Sequence, residues 1–373
     1  MTKVMTVVGT RPEIIRLCEV IKLLDRTVDH VLVHTGQNYD YNLNQVFFEE
    51  LGLRSPDHLL GVDTSSLGRV LGEVLIKVEE VILAERPDAL LVLGDTNSCI
   101  AAVIAKRMRV PVYHMEAGNR CFDENVPEET NRRLVDHVAD FNLVYTEHAR
   151  RNLLAEGLPS RRIIKTGSPM TEVLGAFAEQ IDASTVLADL DLTPGDYVLV
   201  SAHREENVDE PERLNQLLDC LERVRDDFGK TVLVSTHPRT RKRLEALGRQ
   251  TTGMIFHDPL GFLDYNHLQK HSFCVLSDSG TISEESANLG FPAVTLRDAI
   301  ERPEALDTGA IMMTGLDPDN VSEAVALVTS PEAPRATVPD DYQITNTAER
   351  VVKFIVSTHR RHHQWAGVRS RVR

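Results

Sequence analysis

Residues 4–16 read Val-Met-Thr-Val-Val-Gly-Thr-Arg-Pro-Glu-Ile-Ile-Arg. Val4–Val8 is a short, β-rich apolar run. Pro12–Leu24 follows with apolar residues at helical spacing and Pro in the first turn. A buried strand feeding straight into a helix is the unit of a parallel sheet, because returning to a parallel neighbour takes a helix-length crossover. The unit repeats outward from this stretch. Further strands are read at Val31–His34, Ala89–Leu93, Val110–His114 and Leu143–Tyr145. Helical stretches lie between them near Leu67–Glu85, Ser98–Arg107, Glu128–Asp140 and Glu147–Glu156. The pattern then restarts with strands at Tyr197–Ser201, Thr231–Ser235, Phe273–Leu276 and Ala293–Leu296. Helices at Pro211–Phe228, Pro238–Leu247, Phe262–His271 and Ile282–Leu289 separate those. The join falls within Met170–Asp196, which is mostly helical and ends in the turn signal Thr193-Pro194-Gly195-Asp196. The expectation is α/β: two doubly wound Rossmann-like domains, 1–175 and 190–345, facing a cleft. A last helix, about Asn346–Arg361, packs back on the first. Open α/β sheets bind ligands outside the carboxyl ends of their strands, so the cleft is the expected site.

Composition narrows the function. Of 373 residues, 42% are hydrophobic and 26% charged, a globular balance. Lys plus Arg number 41 against 56 Asp plus Glu, a net charge of -15, which argues against a broad nucleic-acid surface. A small phosphorylated ligand needs only a few local cations and stays open. No apolar run approaches the roughly 18 residues of a membrane span. Met1–Val8 reads as a buried first strand rather than a signal peptide. Five scattered Cys without a CxxC pair point to a reduced, cytoplasmic protein. The tail with Arg360, Arg361, Arg369, Arg371 and Arg373 reads as a solvated end.

The unusual polar residues sit just after expected strands. Gly9-Thr10-Arg11-Pro12-Glu13 offers backbone N–H groups and one Arg to an anion, although a plain Gly turn with a surface Arg is the simpler reading. Gly94-Asp95-Thr96-Asn97 and His114-Met115-Glu116-Ala117-Gly118 each put a carboxylate at the top of an apolar strand. On adjacent strands Asp95 and Glu116 come close, and neighbouring carboxylates push their acidities apart, as an acid and a base require. Asp95 is equally at home as a helix cap. Pro127-Glu128-Glu129-Thr130-Asn131-Arg132-Arg133 starts a helix, where two Glu are ordinary dipole partners. Ser201-Ala202-His203-Arg204-Glu205-Glu206-Asn207 and Ser235-Thr236-His237-Pro238-Arg239 place His203 and His237 at equivalent strand ends. Ser277-Asp278-Ser279-Gly280-Thr281 opens a helix as a phosphate cradle. Glu285 lies one turn further, suited to ribose hydroxyls, and Arg302, in Glu301-Arg302-Pro303-Glu304, offers a second phosphate partner. There is no G-x-G, no GxxxxGK[ST], no G-x-S-x-G and no HExxH, which disfavours nicotinamide dehydrogenases, P-loop NTPases, α/β-hydrolases and zincins.

Seven strings stand in order: Gly-Thr-Arg-Pro-Glu at 9–13, Gly-Asp-Thr at 94–96, Glu-Ala-Gly at 116–118, Pro-Glu-Glu at 127–129, His-Arg-Glu-Glu-Asn at 203–207, Asp-Ser-Gly at 278–280 and Glu-Arg-Pro-Glu at 301–304. Together they resemble the non-hydrolysing UDP-N-acetylglucosamine 2-epimerase family over nearly the whole chain. The resemblance implies a glycosyltransferase-B-like pair of Rossmann domains, usually a homodimer. It implies interconversion of UDP-GlcNAc and UDP-ManNAc with no cofactor and no metal. It makes Asp95, Glu116, Glu128 and His203 the catalytic positions. Arg11, Ser279, Gly280, Thr281 and Arg302 would hold the diphosphate, Glu285 the ribose, and Tyr265 would lie by the uracil. Asn131, Arg132 and His237 are additional candidates.

Two departures matter. The family commonly has Lys where Arg16 stands, and Arg brings a longer, planar contact. Members with an allosteric UDP-GlcNAc site usually have Gln-His where this chain has Gln37-Asn38. Asn is shorter and carries no positive charge, so strong activation by substrate is not expected; Asn38 equally suits a cap for a helix near Asp40. Together with GTRPEIIR at 9–16, this loop looks closer to the subgroup of UDP-N-acetyl-L-fucosamine synthases, which act on 6-deoxy-L-hexosamines. A UDP-sugar glycosyltransferase and a hydrolysing epimerase remain rivals.

Overall fold

Lys3–Val8 forms strand β1 and Arg11–Thr27 the helix after it. The computed structural model describes residues 1–36, 47–236, 238–249, 251–332 and 337–368. Gln37 to Asp40, His237, and Arg369, Arg371 and Arg373 of the tail lie outside the described residues. In the first unit β1 is followed by β2 (Asp29–His34), β3 (His58–Leu59), β4 (Ala89–Leu93), β5 (Val112–Met115), β6 (Phe141–Val144) and β7 (Ile163–Lys165). Every pairing is parallel, in the order β3-β2-β1-β4-β5-β6-β7. The chain runs outward from β1 to one edge, then returns to β1's other side. The topological switch point therefore lies between β1 and β4, where the loops leaving the carboxyl ends diverge and open a crevice.

The second unit repeats the plan with β8 (Tyr197–Ser201), β9 (Thr231–Ser235), β10 (Met254–His257), β11 (Cys274–Ser277), β12 (Ala293–Thr295) and β13 (Met312–Met313). Its parallel order is β10-β9-β8-β11-β12-β13, with the switch point between β8 and β11. Strands buried on both faces need near-continuous apolar sequence. Ala-Leu-Leu-Val-Leu in β4 is buried throughout, and so are Tyr197 to Val200 in β8. Cores of Val, Leu and Ile cover the sheets.

The chain divides at Val173/Leu174 and returns to the first unit at Ile344. The C-terminal helix Thr347–Trp365 packs on Arg11–Thr27. It is fastened by a 2.7 Å hydrogen bond between the Tyr113 and Thr358 hydroxyls and by Phe354 edge-on to Phe141 at 5.2 Å. All five cysteines are free thiols. Among the described residues no helix is long and apolar enough to cross a membrane.

The outer strands β3, β7, β10 and β13 were not expected. They have two to four residues and partly exposed faces, too short to show a period. Helix Pro318–Thr329 was also missed, though Asp317-Pro318 signals it: the Asp317 carboxylate accepts from the Asn320 N–H at 2.8 Å, and Pro stands in the first turn.

Candidate functional site

The turn after β1 is organised by Glu13, which is 1% exposed. Its Oε2 accepts from the Gly9 N–H at 2.9 Å and the Thr10 hydroxyl at 2.8 Å, and its Oε1 from the Ser98 hydroxyl beyond β4. Burial pushes its acidity toward the protonated form. Glu13 thus joins the loops on the two sides of the switch point. The other charged member of the motif, Arg11, lies over the Phe47 ring at 5.2 Å, and its pKa is lowered by burial.

Asp95 follows β4, and Glu116 follows β5. The two strands are neighbours in register Leu93↔Met115, and the Gly94 N–H extends the ladder to the Met115 carbonyl at 3.0 Å. The carboxylates leave adjacent strand ends as expected, but each comes with its own arginine. Arg16 donates to Glu116, and Arg132 reaches Asp95 through Nε at 2.9 Å and Nη2 at 2.7 Å. Glu116 sits at φ 64°, a left-handed conformation that costs an L-residue about 1–2 kcal/mol and persists where its surroundings over-determine it. Gly94 stands at φ 72°, and a Cβ there would come 3.3 Å from Glu116 Oε2.

The helix Pro127–Val138 braces this end. Asn131 Nδ2 donates to the Asp95 carbonyl at 2.9 Å, and Arg132 bridges Asp95 and Glu129. Glu129 is buried and accepts from the Cys121 N–H at 3.2 Å and from Arg133 at 2.9 Å. Burial alone would raise its pKa, but these donors together hold it below the ordinary value. Its neighbour Glu128, turned about 100° round the helix, is half-buried.

In the second unit Asp278, wholly buried after β11, accepts from the His203 and Arg204 N–H groups at 3.0 Å each and from Asn207 Nδ2 at 3.1 Å. It welds the β8 loop to the β11 loop at the switch point. The His203 ring is left 48% exposed, with Nδ1 at 3.7 Å from Asp278. The Ser279 and Thr281 hydroxyls meet at 2.9 Å, and the Thr281 N–H donates to Ser279 Oγ at 3.3 Å, shaping the turn into helix Ile282–Leu289. Glu285 accepts from Gln269 at 2.6 Å. Burial raises the pKa of Tyr265, and its ring packs against the core.

Arg302, expected from the sequence as a phosphate partner, sits against the Gly280 turn. It is 3% exposed, and Nη1 donates to the Gly280 carbonyl at 2.5 Å and to Glu284 at 3.0 Å, so it supports the cradle from inside. Arg204, quoted in the sequence motif but given no role, is the cation beside the cradle. Its Nη2 lies 3.7 Å from where a Gly280 Cβ would stand, and its Nε donates to the Asp278 carbonyl at 2.9 Å. Glu13, Glu129, Asp278 and Arg204 were all missed as organising residues. Thr10-x-x-Glu13 carried a signal, since an acid at the third helical position can reach back to the turn.

Two doubly wound units, each with polar loops gathered at its switch point, define a two-domain Rossmann-like α/β protein. The family model described as UDP-N-acetylglucosamine 2-epimerase matches residues 22–356, and the chain belongs to that family of isomerases. It is similar to the UDP-N-acetylglucosamine 2-epimerase structure from Rickettsia bellii, at 44% identity and TM-score 0.91 over 98% of each chain. It is also similar to Methanocaldococcus jannaschii UDP-GlcNAc 2-epimerase in complex with UDP-GlcNAc and UDP, at 34% identity and TM-score 0.90 over 95% of this chain and 100% of that one. A third relative, the UDP-2,3-diacetamido-2,3-dideoxy-D-glucuronate 2-epimerase of Pseudomonas aeruginosa, is 36% identical over 86% of this chain and 91% of its own length.

Proposed function

We propose that the chain interconverts UDP-GlcNAc and UDP-ManNAc by elimination and re-addition of UDP. The C2 proton of a pyranoside is not next to a carbonyl, so simple deprotonation is hard. In anti elimination a base takes the C2 proton, its electron pair forms the C1–C2 double bond, and the C1–O bond breaks with its electrons going to the diphosphate. The products are 2-acetamidoglucal and UDP. Re-addition of UDP at C1, with a proton delivered to the other face of C2, inverts that centre. This needs an acid and a base around C2 and a charged cradle for leaving UDP.

The observation that carries the proposal is the placement of Asp95 and Glu116 on adjacent strand ends, with Glu128 on the helix that braces Asp95. These are the proton-transfer groups. Ser279, Gly280 and Thr281, with Arg204 beside them, hold the diphosphate, and His203 assists its leaving oxygen. Glu285 takes the ribose. Arg302 acts through the Gly280 turn. Arg11 is a further diphosphate partner, and Tyr265 lies toward the uracil. The working unit is a cytoplasmic homodimer, measurable by sedimentation.

Incubation with UDP-GlcNAc in D2O, followed by NMR, tests the proposal. Deuterium at C2 of a mixed UDP-GlcNAc and UDP-ManNAc pool is expected. Release of free ManNAc with UDP, or transfer of sugar to an added acceptor, would replace it with one of the rival reactions. A second substrate reading is favoured by the Pseudomonas aeruginosa relative, whose named sugar is modified, and by Arg16 bonded to Glu116. The same assay with UDP-2-acetamido-6-deoxy-L-hexoses and UDP-diacetamidoglucuronate ranks the substrates.

A further inference from the structure

A buried charged network lies under the first unit's loops and has no part in the reaction as written. Asp136, on Pro127–Val138, is wholly buried. Its Oδ1 faces Nδ1 of the equally buried His114 at 2.9 Å. Its Oδ2 accepts from Arg120 Nη1 at 2.7 Å, and the Gly118 N–H lies 3.2 and 3.1 Å from the two oxygens. The other ring nitrogen of His114, Nε2, faces the Gly94 carbonyl at 2.7 Å. In sequence, Gly94 directly precedes Asp95, His114 stands two residues before Glu116, and Gly118 two after it.

The partners on its two nitrogens fix the orientation of the ring. A carbonyl oxygen only accepts, so Nε2 carries a proton. Asp136 already receives a guanidinium and an amide N–H, an arrangement made for a carboxylate, and it faces Nδ1. With a partner on each ring nitrogen, the plane of the imidazole is fixed between Asp136 and the Gly94 carbonyl. A buried carboxylate that bonds a histidine in this way fixes the position of the ring.

We infer that Asp136 and His114 are a positioning pair that sets the loops carrying Asp95 and Glu116, with His114 gripping the first loop and Asp136 the second. The inference rests on the assignment of those two carboxylates to proton transfer at C2. Neither Asp136 nor His114 touches substrate; the pair acts through the Gly94 carbonyl and the Gly118 amide. Glu116 needs such support because its left-handed backbone relaxes unless held on both sides.

The test is a set of isosteric variants read by turnover, KM and UDP calorimetry. Asp136→Asn keeps the volume, and its amide can donate to Nδ1 of a neutral ring while Nε2–H stays on Gly94; it loses the charge and weakens the hold on Gly118. We expect kcat to fall at least tenfold, with KM and UDP affinity within about threefold of wild type. In His114→Gln the new amide oxygen confronts the Asp136 carboxylate. In the double variant the asparagine amide introduced at position 136 donates to that oxygen, and the glutamine amide at position 114 donates to the Gly94 carbonyl, so kcat recovers above that of His114→Gln alone. Turnover of Asp136→Asn within threefold of wild type overturns the pair. So does a parallel loss of kcat and UDP affinity, or a double variant no better than His114→Gln. If Asp136→Asn does not fold, the comparison of His114→Gln with the double variant decides alone. Absence of C2 exchange in the wild type with every UDP-sugar would instead overturn the assignment of the carboxylates.

Discussion

Replacing Gly94 by alanine asks whether the Glu116 carboxylate matters to within a few tenths of an ångström. Gly94 stands at φ 72°, and its Cβ would come 3.3 Å from Glu116 Oε2, closer than ordinary van der Waals contact. Two effects follow. Left-handed backbone costs an L-residue about 1–2 kcal/mol, and the stiffer unfolded chain returns roughly 0.4–1, so the net loss of stability is on the order of 1 kcal/mol. Separately, the carboxylate must move away from the new methyl group, which disturbs its bond to Arg16. Gly157 separates the two effects. It stands in the same unit at φ 87°, with nothing within 4 Å of its Cβ. Gly157→Ala therefore carries the backbone strain without the contact. Denaturant melts should show both variants weakened by about 1 kcal/mol. Turnover should fall roughly tenfold or more in Gly94→Ala, because orientation at the reacting centre is lost, and stay at the wild-type level in Gly157→Ala. Equal turnover in the two variants would refute the claim that Glu116 must sit where it does. UDP affinity in Gly94→Ala should stay near wild type, since most of the proposed nucleotide partners lie in the second unit.

Three further outcomes are expected. Asp95→Asn, Glu116→Gln and Glu128→Gln should each lower kcat by roughly 10²–10⁴ while calorimetric UDP affinity stays near wild type; three variants with normal turnover would remove the acid–base assignment. Arg302→Ala leaves the buried Glu284 carboxylate without its partner guanidinium, so it should cost on the order of 3–5 kcal/mol in urea unfolding and weaken UDP binding through the loosened Gly280 turn; unchanged stability would contradict the buried pairing. Burial raises Glu13 above its ordinary value of 4.5, so the folded chain holds that proton more tightly than the unfolded one. The stability this provides is full below the unfolded pKa and lost as pH rises through the folded one, so wild type should lose ground against Glu13→Gln as pH rises above the ordinary carboxylate range, and a flat difference would argue against it.

Much of the fold was legible because its strands are buried on both faces and its helices begin at Pro or a capping residue. Ala89–Leu93, Tyr197–Ser201 and Thr231–Ser235 occupy the expected ranges, as do helices Leu67–Glu85, Pro211–Phe228 and Phe262–His271. Edge strands such as His58–Leu59 escape because two residues show no period and one face meets water. Strand order is set by tertiary pairing, so the switch points, and with them the reason the motifs converge within each unit, became visible in the sheets.

The motifs could be located from sequence, but not the division of labour inside them. Glu128 and Glu129 are indistinguishable as letters. One helical step sends Glu129 inward to Arg132, Arg133 and the Cys121 amide, and leaves Glu128 half-buried. The same division recurs in each loop. Glu13 closes the turn that presents Arg11, Asp278 anchors the loop that leaves the His203 ring exposed, and Asp136 holds the amide two residues beyond Glu116. In each case a buried acid takes up backbone N–H groups that a strand end would otherwise leave unsatisfied, and this satisfaction fixes the turn. A chain with net charge -15 can hold so many acids near an anionic ligand because several of them are already committed to amides and arginines. Which acid of a pair is committed depends on which arginine or amide the fold brings to it, and those partners can lie far off in sequence, 75 residues between His203 and Asp278 and 100 between Arg16 and Glu116.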